Sequence, residues 1–207
     1  MAARAPIAVV DFAGGNIGSL VAALERRGAR FEVTADPAVV AAARAAILPG
    51  DGAFAATMRA LVDRGLDGAI RATIAAGRPF LGICVGMQLL FDGSDEYGDC
   101  GGLGYFSGKI SRLAGAPRVP HMGWNALELV GDHPFVAGIV APAHAYFLHS
   151  YRAELGPETQ AAVVHGERFT AIAARDNVMG TQFHPEKSQL VGAQLLDNFL
   201  QLADRCG

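Results

Sequence analysis

Apolar positions along the chain show two textures. Through the first hundred residues, short β-branched runs alternate with amphipathic segments. "IAVVDF" (7–12) is a continuous apolar run that stops at "AGGN", the pattern of a buried strand ending at a loop near Asp11. Ile17, Leu20, Val21 and Leu24 then recur at helical spacing, and Gly28 follows as a candidate C-cap. "RFEVT" and "AAILPG" predict two further strands, parted by a short helix after Asp36-Pro37, and "FAATMRALVDRG" and "LDGAIRATIAAG" predict two helices. "RPFLGIC" predicts a strand over 79–83, with a helix expected over 85–92. Strands that alternate with helices predict a parallel sheet covered on both faces.

Past residue 100 the helical period disappears. "GYFSGKISRL", "WNALELV", "AYFLHSYRAEL", "QAAVVHG", "RFTAIAARD" and "VMGTQF" are strand-like pieces parted by Gly, Pro, Asp and Asn, and they predict antiparallel additions to the sheet. A last helix is expected from about Ser188, where Leu195, Leu196, Phe199 and Leu200 share a face. The expected fold class is α/β, with a mainly parallel central sheet, helices on both faces and antiparallel strands in the C-terminal half. No repeat or linker interrupts the chain, so one domain over 1–207 is expected.

Composition narrows the function classes. A length of 207 residues with 51% hydrophobic content suffices for a sizeable core. The net charge is −3 and the 17 Lys and Arg residues form no run, so nucleic acid is not an expected partner. No stretch approaches the roughly 20 apolar residues that span a bilayer, and "MAARAP" lacks the apolar run of a secretory signal. No membrane association and a cytoplasmic location are therefore expected. Cys84, Cys100 and Cys206 form no C-x-x-C pair, which argues against a disulfide framework and a zinc site. His144 and His149 lie on opposite faces of a predicted strand and do not form a metal pair. No metal and no cofactor are expected.

A cysteine that matters here acts as a free thiol, and "GICVG" is where one would act. Cys84 stands between Gly82 and Gly86 where a strand meets a helix, the arrangement of a strained nucleophile elbow. A helix N-terminus favours the thiolate there, and the Val85 N–H would face a developing oxyanion. The same residue also fits a small buried hydrophobe. A thiol nucleophile needs a base, and "TQFHPEKS" offers one. In an extended segment His184 and Glu186 project to one side about 6–7 Å apart, so the carboxylate can hold one ring nitrogen while the other faces sulfur. A surface turn before the last helix accounts for the same residues.

Six stretches resolve these alternatives by resemblance: "DFAGGNIGS" (11–19), "LPGDGAF" (48–54), "GICVGMQLLF" (82–91), "PHMGWN" (120–125), "YFLHSY" (146–151) and "TQFHPEKSQ" (181–189). Together they resemble the class I glutamine amidotransferases, and among these the glutaminase subunits of imidazole glycerol phosphate synthases. The resemblance implies a flavodoxin-like three-layer fold and a Cys84-His184-Glu186 triad that hydrolyses L-glutamine through a thioester. It also implies an oxyanion hole from the Val85 N–H and an N–H at Asp51 or Gly52. Gln88, Gly50, His149, Ser150 and Tyr151 are implied to contact substrate. The implied partner is a (β/α)₈ cyclase subunit, held in a heterodimer through Asn16, Trp124, Tyr146 and Lys187, which consumes the ammonia in histidine biosynthesis. Asp51 departs from the family, which usually has an apolar residue there. Its carboxylate is expected to point away from Cys84, so that only main chain faces substrate. Phe12 and Val85 depart too, as apolar exchanges of little consequence. A glutaminase of another synthase, a cysteine hydrolase and a binding module of similar fold are the alternatives.

Overall fold

The computed structural model describes residues 4–13 and 17–206. In chain order the elements are β1 (Ile7–Val10), α1 (Ile17–Glu25), β2 (Phe31–Thr34), α2 (Pro37–Ala42), β3 (Ala45–Leu48), α3 (Phe54–Asp63), α4 (Leu66–Ala75), β4 (Phe80–Ile83) and α5 (Val85–Gln88). There follow β5 (Phe91–Ser94), β6 (Cys100–Gly101), β7 (Phe106–Arg112), β8 (His121–Leu129), β9 (Ala143–His149), β10 (Tyr151–Ala153), β11 (Thr159–His165), β12 (Glu167–Arg175), β13 (Val178–Thr181) and α6 (Gln189–Arg205). Short 3₁₀ turns cover Pro134–Val136 and Pro185–Lys187.

Nine strands form one sheet in the order β2-β1-β3-β4-β13-β12-β11-β8-β9. The first five are parallel, and from β12 onward every pairing is antiparallel. Sequence explains the division. β1, β3, β4 and β13 are buried at every position, as strands covered on both faces must be. β8 and β9 alternate buried and open positions, because one of their faces looks outward. All four residues of β13 pair with β4 in parallel, Thr181 opposite Ile83, so both strands end side by side at the carboxyl edge where open α/β sheets bind ligands.

Local signals behave as their chemistry requires. Asp36 accepts the Ala38 N–H at 2.8 Å and caps α2 behind Pro37. Gly28 takes φ +61° after α1, where its N–H closes on the Glu25 carbonyl. Three expectations need correction. The helix expected over 85–92 ends at Gln88, because the carbonyls of Leu89 and Leu90 accept the N–H groups of Leu103, Tyr105 and Phe106 instead of continuing a helical ladder. "AYFLHSYRAEL" is two strands, since the chain leaves the large sheet at Ser150, whose carbonyl accepts the Leu113 N–H, and β10 joins β7. The antiparallel additions are also not all in one sheet: β10-β7-β5-β6 form a second, small one. Among the described residues no helix is long and apolar enough to cross a membrane.

Candidate active site

Cys84 follows β4 directly and holds φ 55°, ψ −113°, a conformation that an L residue enters only under constraint. The constraint is main-chain packing. A Cβ on Gly82 would lie 2.3 Å from the Gly86 carbonyl oxygen, and one on Gly86 would lie 2.2 Å from the Leu48 carbonyl oxygen. A Cβ on Gly50 would lie 2.2 Å from the Gly86 nitrogen and 2.8 Å from the Val85 nitrogen. These glycines are thus needed for close approach, not for positive φ. The Cys84 N–H is anchored on the Thr181 carbonyl at 2.7 Å, which extends the β4–β13 ladder to Cys84 itself. Since α5 is a single turn, the helix-dipole support expected for the sulfur is small.

His184 stands three residues beyond β13 on the same edge. The extended segment expected for His184 and Glu186 is a correction as well: Pro185 opens a 3₁₀ turn, and only His184 itself is extended. The turn still joins them, with Nδ1 of His184 2.9 Å from the Glu186 carboxylate. Hydrogen bonds to the His184 main chain fix the rest. The His184 N–H donates to the Tyr146 carbonyl at 3.2 Å, and the Ser188 hydroxyl donates to the His184 carbonyl at 2.7 Å while accepting the Tyr146 N–H at 2.9 Å. Burial alone would push the imidazole toward neutrality. Hydrogen bonding and charge attraction from Cys84 and Glu186 outweigh it and hold the ring proton, raising its pKa to about 10.

Cys84, His184, Glu186, Lys187, Gly50 and Asp51 border one pocket, and a second opens on the other side of the sulfur. Asp51, Gly52, Val85, Gln88, His149, Ser150 and Tyr151 line the second. The Asp51 carboxylate turns onto its own loop and accepts the Gly52 N–H at 2.9 Å, so that donor is engaged. Gln88 is no surface residue: it is buried, and its Nε2 donates to the Tyr151 carbonyl and the Gln182 side chain, each at 3.0 Å. His149 is buried where His144 is open, as expected for opposite faces. Trp124 and Tyr146 are cross-strand partners with ring centroids 6.1 Å apart on the outer face. Asn16 lies outside the described residues. Among the described residues no cluster of three or more His, Cys, Asp or Glu could hold a metal ion.

Three further residues also belong here. Gln182 is fully buried with Nε2 3.9 Å from the Cys84 sulfur. Glu96 and Arg112 line the pocket beside Cys84 with opposite charges, and Glu96 is buried with one oxygen held by the Phe54 N–H at 2.8 Å. The positions of Glu96, just after β5, and Arg112, at the end of β7, depend on how the small sheet packs beside Cys84, which local sequence does not reveal.

The profile of class-I glutamine amidotransferases matches residues 8–202. The chain belongs to that family. Within it, the chain is 44% identical over 203 residues to the imidazole glycerol phosphate synthase subunit HisH of Salinibacter ruber, covering 94% of this chain and 93% of that one. It is 47% identical over 200 residues to the subunit of the same name from Lactiplantibacillus plantarum, covering 94% and 95%. A solved structure of a glutamine amidotransferase superposes with TM-score 0.74 at 21% identity, covering 95% of this chain and 98% of that one. This amidotransferase fold therefore persists where little sequence does.

Proposed function

We propose that this amidotransferase is the glutaminase subunit of an imidazole glycerol phosphate synthase. It hydrolyses L-glutamine to glutamate and ammonia and passes the ammonia to a (β/α)₈ cyclase subunit in a cytoplasmic heterodimer. The observation that carries the chemistry is the shared edge. A strained Cys84 and a protonated, carboxylate-bound His184 border one pocket although they come from different strands.

In this reading the Cys84 sulfur attacks the glutamine amide carbon. The amide π electrons move to oxygen, where the Val85 N–H and the Asp51 N–H receive the charge, since the Gly52 N–H is held by the Asp51 carboxylate. His184 gives its proton to the departing nitrogen, the C–N bond breaks, and ammonia leaves a glutamyl thioester. Water then adds to the thioester, losing a proton to His184, and sulfur departs as the thiolate, which restores the starting pair. Glu186 keeps Nδ1 engaged so that Nε2 serves the reaction. Glu96 and Arg112 suit the ammonium and carboxylate of a free amino acid, and Gln88 and 149–151 line the same pocket.

The partner half of the reading rests on the named relatives and on one surface. Met122, Trp124, Leu148 and Leu190 are large apolar side chains left open beside the site, with Leu148 lining both pockets. A bound subunit there would cover them and seal ammonia from water. The test is glutamate release by the purified chain, alone and with the cyclase subunit and its ligand. Slow release that rises on addition of both is expected, together with stoichiometric labelling of Cys84 by a glutamine-like alkylator. Full turnover by the isolated chain would remove the need for the partner, and loss of labelling would remove the nucleophile.

A further inference from the structure

We infer that Gln182 is a further catalytic residue, a neutral donor presenting an N–H to the Cys84 sulfur and locked in that orientation through Gln88 by the Tyr151 main-chain carbonyl. The inference rests on Cys84 being the nucleophile.

Which end of each amide faces where follows from a single fixed point. The Tyr151 main-chain carbonyl can only accept, so the Gln88 atom 3.0 Å from it must be nitrogen. That same nitrogen lies 3.0 Å from Gln182, which must answer with oxygen. Gln182 is left with its own nitrogen facing sulfur at 3.9 Å. Reversing Gln182 would set N–H against N–H, and reversing Gln88 would set oxygen against the Tyr151 carbonyl. The Tyr151 carbonyl also accepts Nδ1–H of His149 at 2.8 Å, leaving Nε2 of His149 to accept from Nδ1 of His121 at 3.1 Å. Nε2 of His121 in turn accepts from the Asn125 amide at 3.2 Å. Each member has one allowed role, and all are neutral.

The sulfur needs such a donor. Its other polar contact on this side is the Leu148 carbonyl at 3.9 Å, which can accept from a thiol but repels an anion. His184 is the mobile proton carrier and cannot also be a permanent donor. Gln182 is, and the β4–β13 ladder ending in the Cys84 N–H to Thr181 bond brings it alongside. Its N–H steadies the anionic sulfur before attack and again when sulfur leaves the thioester.

Gln182→Glu is the discriminating variant, since it keeps shape and the acceptor for Gln88 but turns an acceptor toward sulfur. In complex with the cyclase subunit, kcat for glutamine hydrolysis should fall about 10- to 100-fold, the loss of one hydrogen bond to a charged group, with KM within about 2-fold. Alkylation of Cys84 by iodoacetamide at fixed pH should slow about 10-fold or more. Gln182→Met, which removes the donor without adding charge, should slow alkylation too and serves if Gln182→Glu does not fold. Wild-type alkylation in the variant that folds, or a change confined to KM, overturns the assignment. If the wild-type complex releases no glutamate, the glutaminase reading fails, and alkylation still decides the contact.

Discussion

Cys84 and His184 end neighbouring strands, yet they are placed by different physics. Around the sulfur the contacts that matter are main chain against main chain: Gly50, Gly82 and Gly86 each sit where a methyl group would meet backbone atoms at 2.2–2.3 Å. Around the imidazole the contacts are mostly hydrogen bonds through side chains, from Glu186 and from the Ser188 hydroxyl that staples the turn to Tyr146. Among the described residues, only Gly192, packed on the Pro185 carbonyl, repeats the steric device there. Backbone packing has no partial failure, because neither side can yield. Hydrogen bonds can be weakened one at a time. The Cys84 side should therefore respond to substitution as all or nothing and the His184 side by degrees.

The largest effect expected is that of Gly86→Ala. Its methyl group would overlap the Leu48 carbonyl, and backbone cannot move aside as a flexible side chain could. A loss of about 3 kcal/mol or more is expected, read as a fall in the urea midpoint or as failure to accumulate folded protein. Wild-type stability would show that the elbow is not built by close packing.

The histidines sharpen the comparison through pH, because they carry opposite signs. His121 and His149 are held neutral, chiefly by burial, with pKa values lowered to about 4 and about 3. An unfolded imidazole takes a proton below about 6.5, so the stability they contribute is present above that pH and lost as pH falls toward 4. The expected slope is about 1.4 kcal/mol per pH unit for each ring, measured by urea unfolding between pH 6.5 and 5. Removing the His121 ring should reduce the slope. His184 works the other way: its pKa is raised to about 10, so its contribution is whole below about 6.5 and lost as pH rises through 10.

Glu186→Gln tests that second sign by degrees. Without the carboxylate, His184 keeps only the sulfur as an anionic support. Its C2 proton resonance should then titrate below about 10 yet above the ordinary value of 6.5. The stability lost should be about 1.5–3 kcal/mol below pH 6.5, the worth of a hydrogen bond to a charged group. A midpoint that stays near 10 would assign the whole effect to Cys84.

The difference between the two sides also explains what local sequence could reveal. β1, β3 and β4 read as continuous apolar runs because a parallel strand is buried on both faces. The Gly82-Cys84-Gly86 spacing is visible because close packing demands glycine wherever it occurs. The end of α5 was not visible, because the carbonyls after Gln88 are claimed by 102–106, a tertiary choice. Nor was Gln182, whose meaning depends on a neighbour across the β4–β13 ladder and on an amide orientation set at Tyr151. The 3₁₀ turn at Pro185 was hidden for a related reason: proline permits both extended chain and a helical first turn, and docking of the turn on Tyr146 and Gly192 decides.

The smallest expected effect isolates packing from glycine itself. Gly68 lies exposed within α4, has no positive φ, and a methyl group there would meet nothing within 4 Å. Alanine at this position removes backbone freedom from the unfolded chain without disturbing the folded one. Gly68→Ala should therefore stabilise by about 0.5–1 kcal/mol, seen as a small rise in the urea midpoint at unchanged slope. The same chemical change at Gly86 and Gly68 would then differ in sign as well as size. If both variants lose stability alike, the penalty at Gly86 cannot be credited to its contact with Leu48, and the steric account of how Cys84 is held would fall with it.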